Sequence, residues 1–124
     1  MSAGIRDLKL WQEAVGLAAD VTRTVHGCSR RETRQLTDRL LHVALDVPAR
    51  IADGYERGDP AERVQLYRQA RGDLAVLDTL VAVTRQAGLV TPAAQAQLAA
   101  RCAVVARLLG GYLAAAERCR RPEA

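Results

Sequence analysis

The stretch Asp46–Pro60, DVPARIADGYERGDP, decides how this chain folds. It sets Pro48 inside a helix-like pattern and closes on a second proline, Pro60. A proline within a helix gives up its own N–H bond to the carbonyl four residues back, here Ala44, and its ring crowds that turn, at a cost of about 3 kcal/mol. Two readings follow: a helix that ends near Asp46 with a short new one starting at Pro48, or one helix that continues with a kink. Val43, Val47, Ile51 and Tyr55 hold a single apolar phase on both sides of the proline. A detached piece of roughly nine residues would be marginal in water, so the phase favours one kinked helix. The end of the stretch starts the next helix, with Asp59 as N-cap, Pro60 at the first helical position and Glu62 completing a capping box.

Working outward, Tyr67, Ala70, Leu74, Leu77, Val81 and Thr84 recur every three or four residues after that start. Gly88 is a left-handed stop, and Thr91-Pro92 repeats the cap-then-proline signal. The following helix carries Leu98, Cys102, Val105, Leu109, Tyr112 and Ala116, and its Gly110-Gly111 pair would admit a close neighbour. Towards the N-terminus, Leu36, Leu40, Val43 and Val47 extend the proline-containing helix backwards, and Leu8, Trp11, Val15, Ala18, Val21 and Val25 mark another. The pattern predicts helices over residues 7–26, 33–56, 60–87 and 92–118. With two short connections and no strand signal, the fold class is all-α: an up-down-up-down antiparallel four-helix bundle with a proline kink in the second helix, in one domain. Leu10, Ala14 and Leu17 on the first helix, and Leu66, Val76, Leu80 and Val83 on the third, lie off these stripes. They either broaden the core or cover a second face against another copy of the chain.

Composition narrows the function classes. The 124 residues include one Trp, three Tyr and no Phe, so the core is Leu, Val and Ala. No apolar run of signal or membrane-spanning length stands out, which predicts a cytoplasmic chain without a membrane segment. Cys28, Cys102 and Cys119 are odd in number and form no CxxC pair, which fits reduced thiols better than a disulfide or zinc framework. The Glu-x-x-His pairs of a di-iron bundle are missing, because neither His26 nor His42 has a glutamate three residues before it. Asp38 and His42 stand one turn apart without a visible third ligand. No glycine-rich phosphate loop is present, and Tyr55, Tyr67, Tyr112 and Trp11 read as packing residues. The expectation is a protein that is not an enzyme and needs no cofactor or metal.

Three segments carry a family resemblance: IRDLKLWQEA at 5–14, VPARIADGYERGD at 47–59 and YRQARGDLAVLDTLVAVTRQAGL at 67–89. Together they resemble the four-helix bundle proteins encoded within 23S ribosomal RNA intervening sequences. The family motif S-x-P-x-N-I-A-E-G stands here with Asp46 for serine, Arg50 for asparagine and Asp53 for glutamate, while Pro48, Ile51, Ala52 and Gly54 are kept. The family's A-x-G-S-L-x-E-L appears as Ala70 to Leu77, with Asp73 for serine and Val76 for glutamate. The resemblance implies a ring-like homopentamer that binds nucleic acid. It also relates the chain to the basic pentameric accessory protein of diversity-generating retroelements, which works with a reverse transcriptase and its RNA.

The net charge is +4, and Lys9 is the only lysine among the 18 basic residues. Distribution counts for more than the total. Arg30, Arg31 and Arg34 cluster between the first two helices, and Arg118, Arg120 and Arg121 form a C-terminal run at the opposite end, joined by Arg6, Lys9 and Arg57. Arg50, in the proline motif, is the further candidate. Guanidinium groups suit phosphate because they donate paired hydrogen bonds and binding releases counterions. These seven arginines (30, 31, 34, 50, 118, 120 and 121) are the candidate RNA or DNA contacts, through the backbone rather than the bases because stacking residues are scarce. The competing reading leaves them as solvated helix ends on a module that contacts only other proteins.

Overall fold

A computed structural model describes residues 4–120 of the chain. A short 3-10 turn, Ile5–Asp7, leads into four helices: α1 Lys9–Cys28, α2 Arg34–Glu56, α3 Pro60–Gln86 and α4 Pro92–Arg120. No strand occurs among the described residues. Each helix packs on its neighbour in sequence, and α1 closes on α4, so the four form an antiparallel bundle around one core. The connections follow from local chemistry. Asp59 accepts a hydrogen bond from the Ala61 amide at 3.2 Å and Pro60 opens α3. Glu62, expected to reach back to the Asp59 amide, pairs with Arg57 at 3.7 Å instead. Gly88 ends the α3 segment at φ 77°, where a side chain would strain the backbone. Leu89 N–H then bonds the Thr84 carbonyl at 2.9 Å, and Thr91 Oγ1 caps α4 by accepting from Ala94 N–H at 3.1 Å.

Helix α2 runs unbroken through Pro48. Val43, Val47 and Ile51 are all buried, so packing on both sides of the proline offsets the missing hydrogen bond. The end of α2 is held from outside. Arg63, on the first turn of α3, donates from Nε to the Gly54 carbonyl at 3.0 Å and from Nη2 to the Tyr55 and Arg57 carbonyls at 2.6 and 3.1 Å. A positive side chain here supplies donors to the Tyr55 and Arg57 carbonyls, shares the Gly54 carbonyl with the Arg57 N–H, and meets the negative end of the helix dipole. Replacing Arg63 by Met, which keeps the stem but not the donors, is expected to lower stability by about 2 kcal/mol, read as a shift in the urea midpoint. Arg63→Lys, a point charge without the fork, should recover less than half of that. An unchanged midpoint in Arg63→Met would remove the capping role.

The buried stripes of α3 and α4 match their sequence patterns, save that Leu113 replaces the half-buried Tyr112 in the core. On α1 the expected stripe holds at Ala18, Val21 and Val25 but is displaced in the first turns. Leu10, Ala14 and Leu17 are fully buried, while Val15 is 38% exposed and Trp11 packs only at the core's edge, with Arg6 over its ring at 5.7 Å. Burying Leu10 and Leu17 gains more than burying Trp11 and Val15 would at this edge, and it fits the contact with α4, where the Arg101 guanidinium crosses α1 at Gly16 and pairs with Glu13 at 3.5 Å and Asp20 at 3.2 Å. Glu13, Gly16 and Asp20 accordingly face α4 while Leu10, Ala14 and Leu17 point inward. A Cβ at Gly16 would overlap Arg101 Nη2, so glycine is what lets the guanidinium lie flat. Gly110 and Gly111, expected to admit a close neighbour, have open space around them.

By length and composition α4 is apolar enough to cross a membrane, with a mean hydropathy of 1.4 over its most apolar window. In the bundle Leu98, Cys102, Val105, Leu109, Leu113 and Ala116 form its buried stripe. Small residues such as Ala96, Ala100, Ala103 and Ala114 on its outer face raise the hydropathy further.

Candidate nucleic-acid interface

The turn between α1 and α2 is built from hydrogen bonds rather than apolar packing. Ser29 N–H bonds the Val25 carbonyl at 2.9 Å, and Thr33 N–H bonds the Arg30 carbonyl at 3.2 Å. Thr33 Oγ1 accepts from Arg30 N–H at 3.2 Å. Thr37, fully buried, donates to the carbonyl of Thr33 or Arg34 at 3.3 and 3.2 Å and lies 3.3 Å from Ser29 Oγ. The backbone that bears Arg30, Arg31 and Arg34 is therefore pinned to the bundle end. All three side chains are exposed, and none pairs with a carboxylate among the described residues.

Of the other candidates Arg50 is engaged, whereas Arg118 and Arg120 have no ion-pair partner among the described residues. Arg50 donates to Asp73 Oδ2 at 2.5 Å and to Gln69 Oε1 at 3.1 Å, with Asp46 at 3.9 Å. It ties α2 to α3 and is not free for phosphate. Arg57 is held by Asp53 at 3.0 Å, and that hydrogen bond, then the Asp53 and Glu62 charges, raises its pKa further above the ordinary arginine value. Arg68 pairs with Glu117 at 3.5 Å, and Arg23 with Asp20. Arg118 and Arg120 are exposed in the last turn of α4, where cations favour a helix C-terminus; Arg121 lies outside the described residues.

The two ends of the bundle consequently differ in charge. At the end with the chain termini, Arg6, Lys9, Arg57, Arg63, Arg118 and Arg120 are matched by Asp7, Asp53, Glu56, Asp59, Glu62 and Glu117. At the other end Glu32 is the only acidic residue in the segments 29–35 and 84–91, against Arg30, Arg31, Arg34 and Arg85. Arg85 was missed in the sequence reading. The up-down-up-down order already places the α3–α4 connection beside the α1–α2 turn, so topology was the available signal.

Other chemistry is sparse. Asp38 and His42 line a groove of about 460 Å³ between α2 and α3 with Asp46 and Asp73, but no group of three metal-ligating side chains comes together among the described residues. Burial, and then the Asp78 charge, pushes the Cys102 thiol up to about 11, which leaves it inert near neutral pH.

A family model described as 23S rRNA-intervening sequence protein matches residues 6–111 of the chain. The chain belongs to that family. No curated protein matched it in a search. Against the intervening-sequence motif, three of the departures noted above meet in space: Asp46, Arg50 and Asp73 form the ion-paired cluster between α2 and α3. Where the motif of the resemblance has serine, asparagine and serine, this chain has two carboxylates around one guanidinium, and the cluster joins two helices.

Proposed function

We propose that this intervening-sequence protein is a non-enzymatic cytoplasmic scaffold that assembles with copies of itself, as a pentamer, and binds the sugar-phosphate backbone of RNA or DNA through the α1–α2 end. The observation that carries the reading is the unpaired set Arg30, Arg31 and Arg34 on a hydrogen-bonded turn, with Arg85 at the same end and Glu32 as the local acid. The aromatic residues support backbone over base contact. Trp11, Tyr55, Tyr67 and Tyr112 all lie towards the opposite end, so among the described residues the basic end carries no Trp, Tyr or Phe ring for bases to stack on. Self-assembly is supported by apolar side chains left in solvent on three helices: Val15 on α1, Leu45 at 50% exposure on α2, and Val76 and Val83 on α3. A ring would repeat the basic end in one plane and multiply weak contacts into a useful affinity. The likeness to the retroelement accessory protein makes a reverse transcriptase with its RNA a candidate partner.

Fluorescence anisotropy with a structured RNA hairpin over a NaCl series tests the binding. The logarithm of affinity should fall linearly with the logarithm of salt, by about 0.9 for each phosphate neutralised. Absence of binding at low salt, or an affinity indifferent to salt, would leave a module for protein contacts only. Light scattering tests assembly separately, and a monomer at micromolar concentration would end that half of the proposal.

A further inference from the structure

At the end remote from the arginine turn, the last turns of α2 and α4 and the first turns of α3 leave a hollow of about 300 Å³. Tyr55, Tyr67 and Tyr112, the only tyrosines in the chain, all line it, with Pro60, Arg63 and Cys119. Close-packed interiors leave few voids larger than a water molecule, whereas small-molecule sites begin near this volume and combine aromatic walls with one or two placed polar groups. Tyr112 is only half-buried, because Leu109 and Leu113 fill the core on either side of it, so its ring serves the wall of the hollow more than the core.

The polar group is Arg63. Its Nε and Nη2 are taken by the carbonyls that end α2, while among the described residues Nη1 makes no hydrogen bond and no carboxylate pairs with the side chain. Its guanidinium carbon lies 5.8 Å from the centre of the Tyr55 ring. A cation fixed in place, with a donor to spare and aromatic rings beside it, complements an anion carried on a ring. Burial, the largest influence on Tyr67, raises its pKa, so its phenol stays neutral and adds no opposing charge.

We propose that this hollow is a binding site for a small planar aromatic carboxylate, with its ring among the three tyrosines and its carboxylate on Arg63 Nη1. Offset and edge-to-face ring contacts supply the apolar part of the affinity, and the charge-assisted hydrogen bond orients the ligand. The volume admits one ring or two fused rings. The site is remote from Arg30, Arg31 and Arg34 and does not depend on nucleic-acid binding.

The test is calorimetric titration of the full chain with 1-naphthoate and with its neutral counterpart 1-naphthylmethanol. Saturable binding of one naphthoate per chain is expected, with the alcohol weaker by about tenfold because it lacks the charge for Arg63. Cys119→Trp fills the hollow from an exposed position and should abolish binding with the thermal midpoint unchanged. On the wild-type protein, bound naphthoate should slow alkylation of Cys119 by iodoacetamide while Cys28 reacts as before, a readout independent of any variant. No saturation at millimolar naphthoate, equal affinity for the alcohol, undiminished binding to folded Cys119→Trp, or an unaltered Cys119 rate would each overturn the proposal.

Discussion

With Arg30, Arg31 and Arg34 all changed to Ala, affinity for a structured RNA is expected to fall by roughly a hundredfold or more at near-physiological salt. Each phosphate contact contributes through released counterions, and three lost contacts per chain also flatten the salt dependence by about 2.7 in slope. Changing Arg118 and Arg120 to Ala serves as the matched control. That pair lies at the end where acidic and basic residues balance, so its loss should cost affinity only a few-fold, by about the loss of long-range attraction. Folding should not confound the comparison. The turn is held by Ser29, Thr33 and Thr37 and not by the arginine side chains, apart from a long 3.4 Å contact from Arg30 Nη1 to the Ser29 carbonyl. Exposed substitutions of this kind change stability by about 0.5 kcal/mol or less. Equal losses in the two variants would mean that net charge, and not this end of the bundle, governs binding.

The charge contrast between those two ends follows from sequence counts once the topology is known, but which arginines are taken up in ion pairs was not legible, because the pairing runs across elements. Spacing along the chain put Arg30, Arg31 and Arg34 together, and did the same for Arg118, Arg120 and Arg121. It could not say that Glu117 would reach Arg68 on α3, nor that Asp73, 23 residues away, would meet Arg50. Local signals did better. The Asp59-Pro60 and Thr91-Pro92 starts and the Gly88 stop act within a few residues, and the structure places α3 and α4 where those signals put them. On α1 the reading holds at Ala18, Val21 and Val25 but misses the first turns. Two apolar series interleave there, and the one with Leu10 and Leu17 buries more apolar surface, while Arg101 from α4 covers the opposite edge at Gly16.

The same logic of close approach makes Gly54, and not Pro48, the most constrained residue of the stretch Asp46–Pro60. Gly54 is buried in the last turn of α2, against Tyr67 of α3. A Cβ there would stand 2.8 and 2.9 Å from Tyr67 Cε1 and Cδ1 and 3.3 Å from Leu66 Cβ. Arg101 could swing away from a side chain at Gly16, but the Tyr67 ring is only 2% exposed and packed on the core, so it can yield only towards the hollow it shares with Tyr55 and Tyr112, at the cost of its core contacts. Gly54→Val is therefore expected to lower stability by about 3 kcal/mol, at the upper end for overpacking, since the helix gains little from a β-branched residue. For a chain of this size that is roughly a 10 °C fall in the thermal midpoint. Gly72→Ala is the control of opposite sign. It lies inside α3, exposed and with open space around it, so a methyl group meets nothing and helix propensity alone raises stability by about 0.5–1 kcal/mol. Adding Tyr67→Leu to Gly54→Val should cost less than the sum of the two single changes, because removing the ring relieves the clash. A Gly54→Val protein as stable as wild type would show that the contact with Tyr67 yields, and that glycine at this position of the family motif answers to something other than packing.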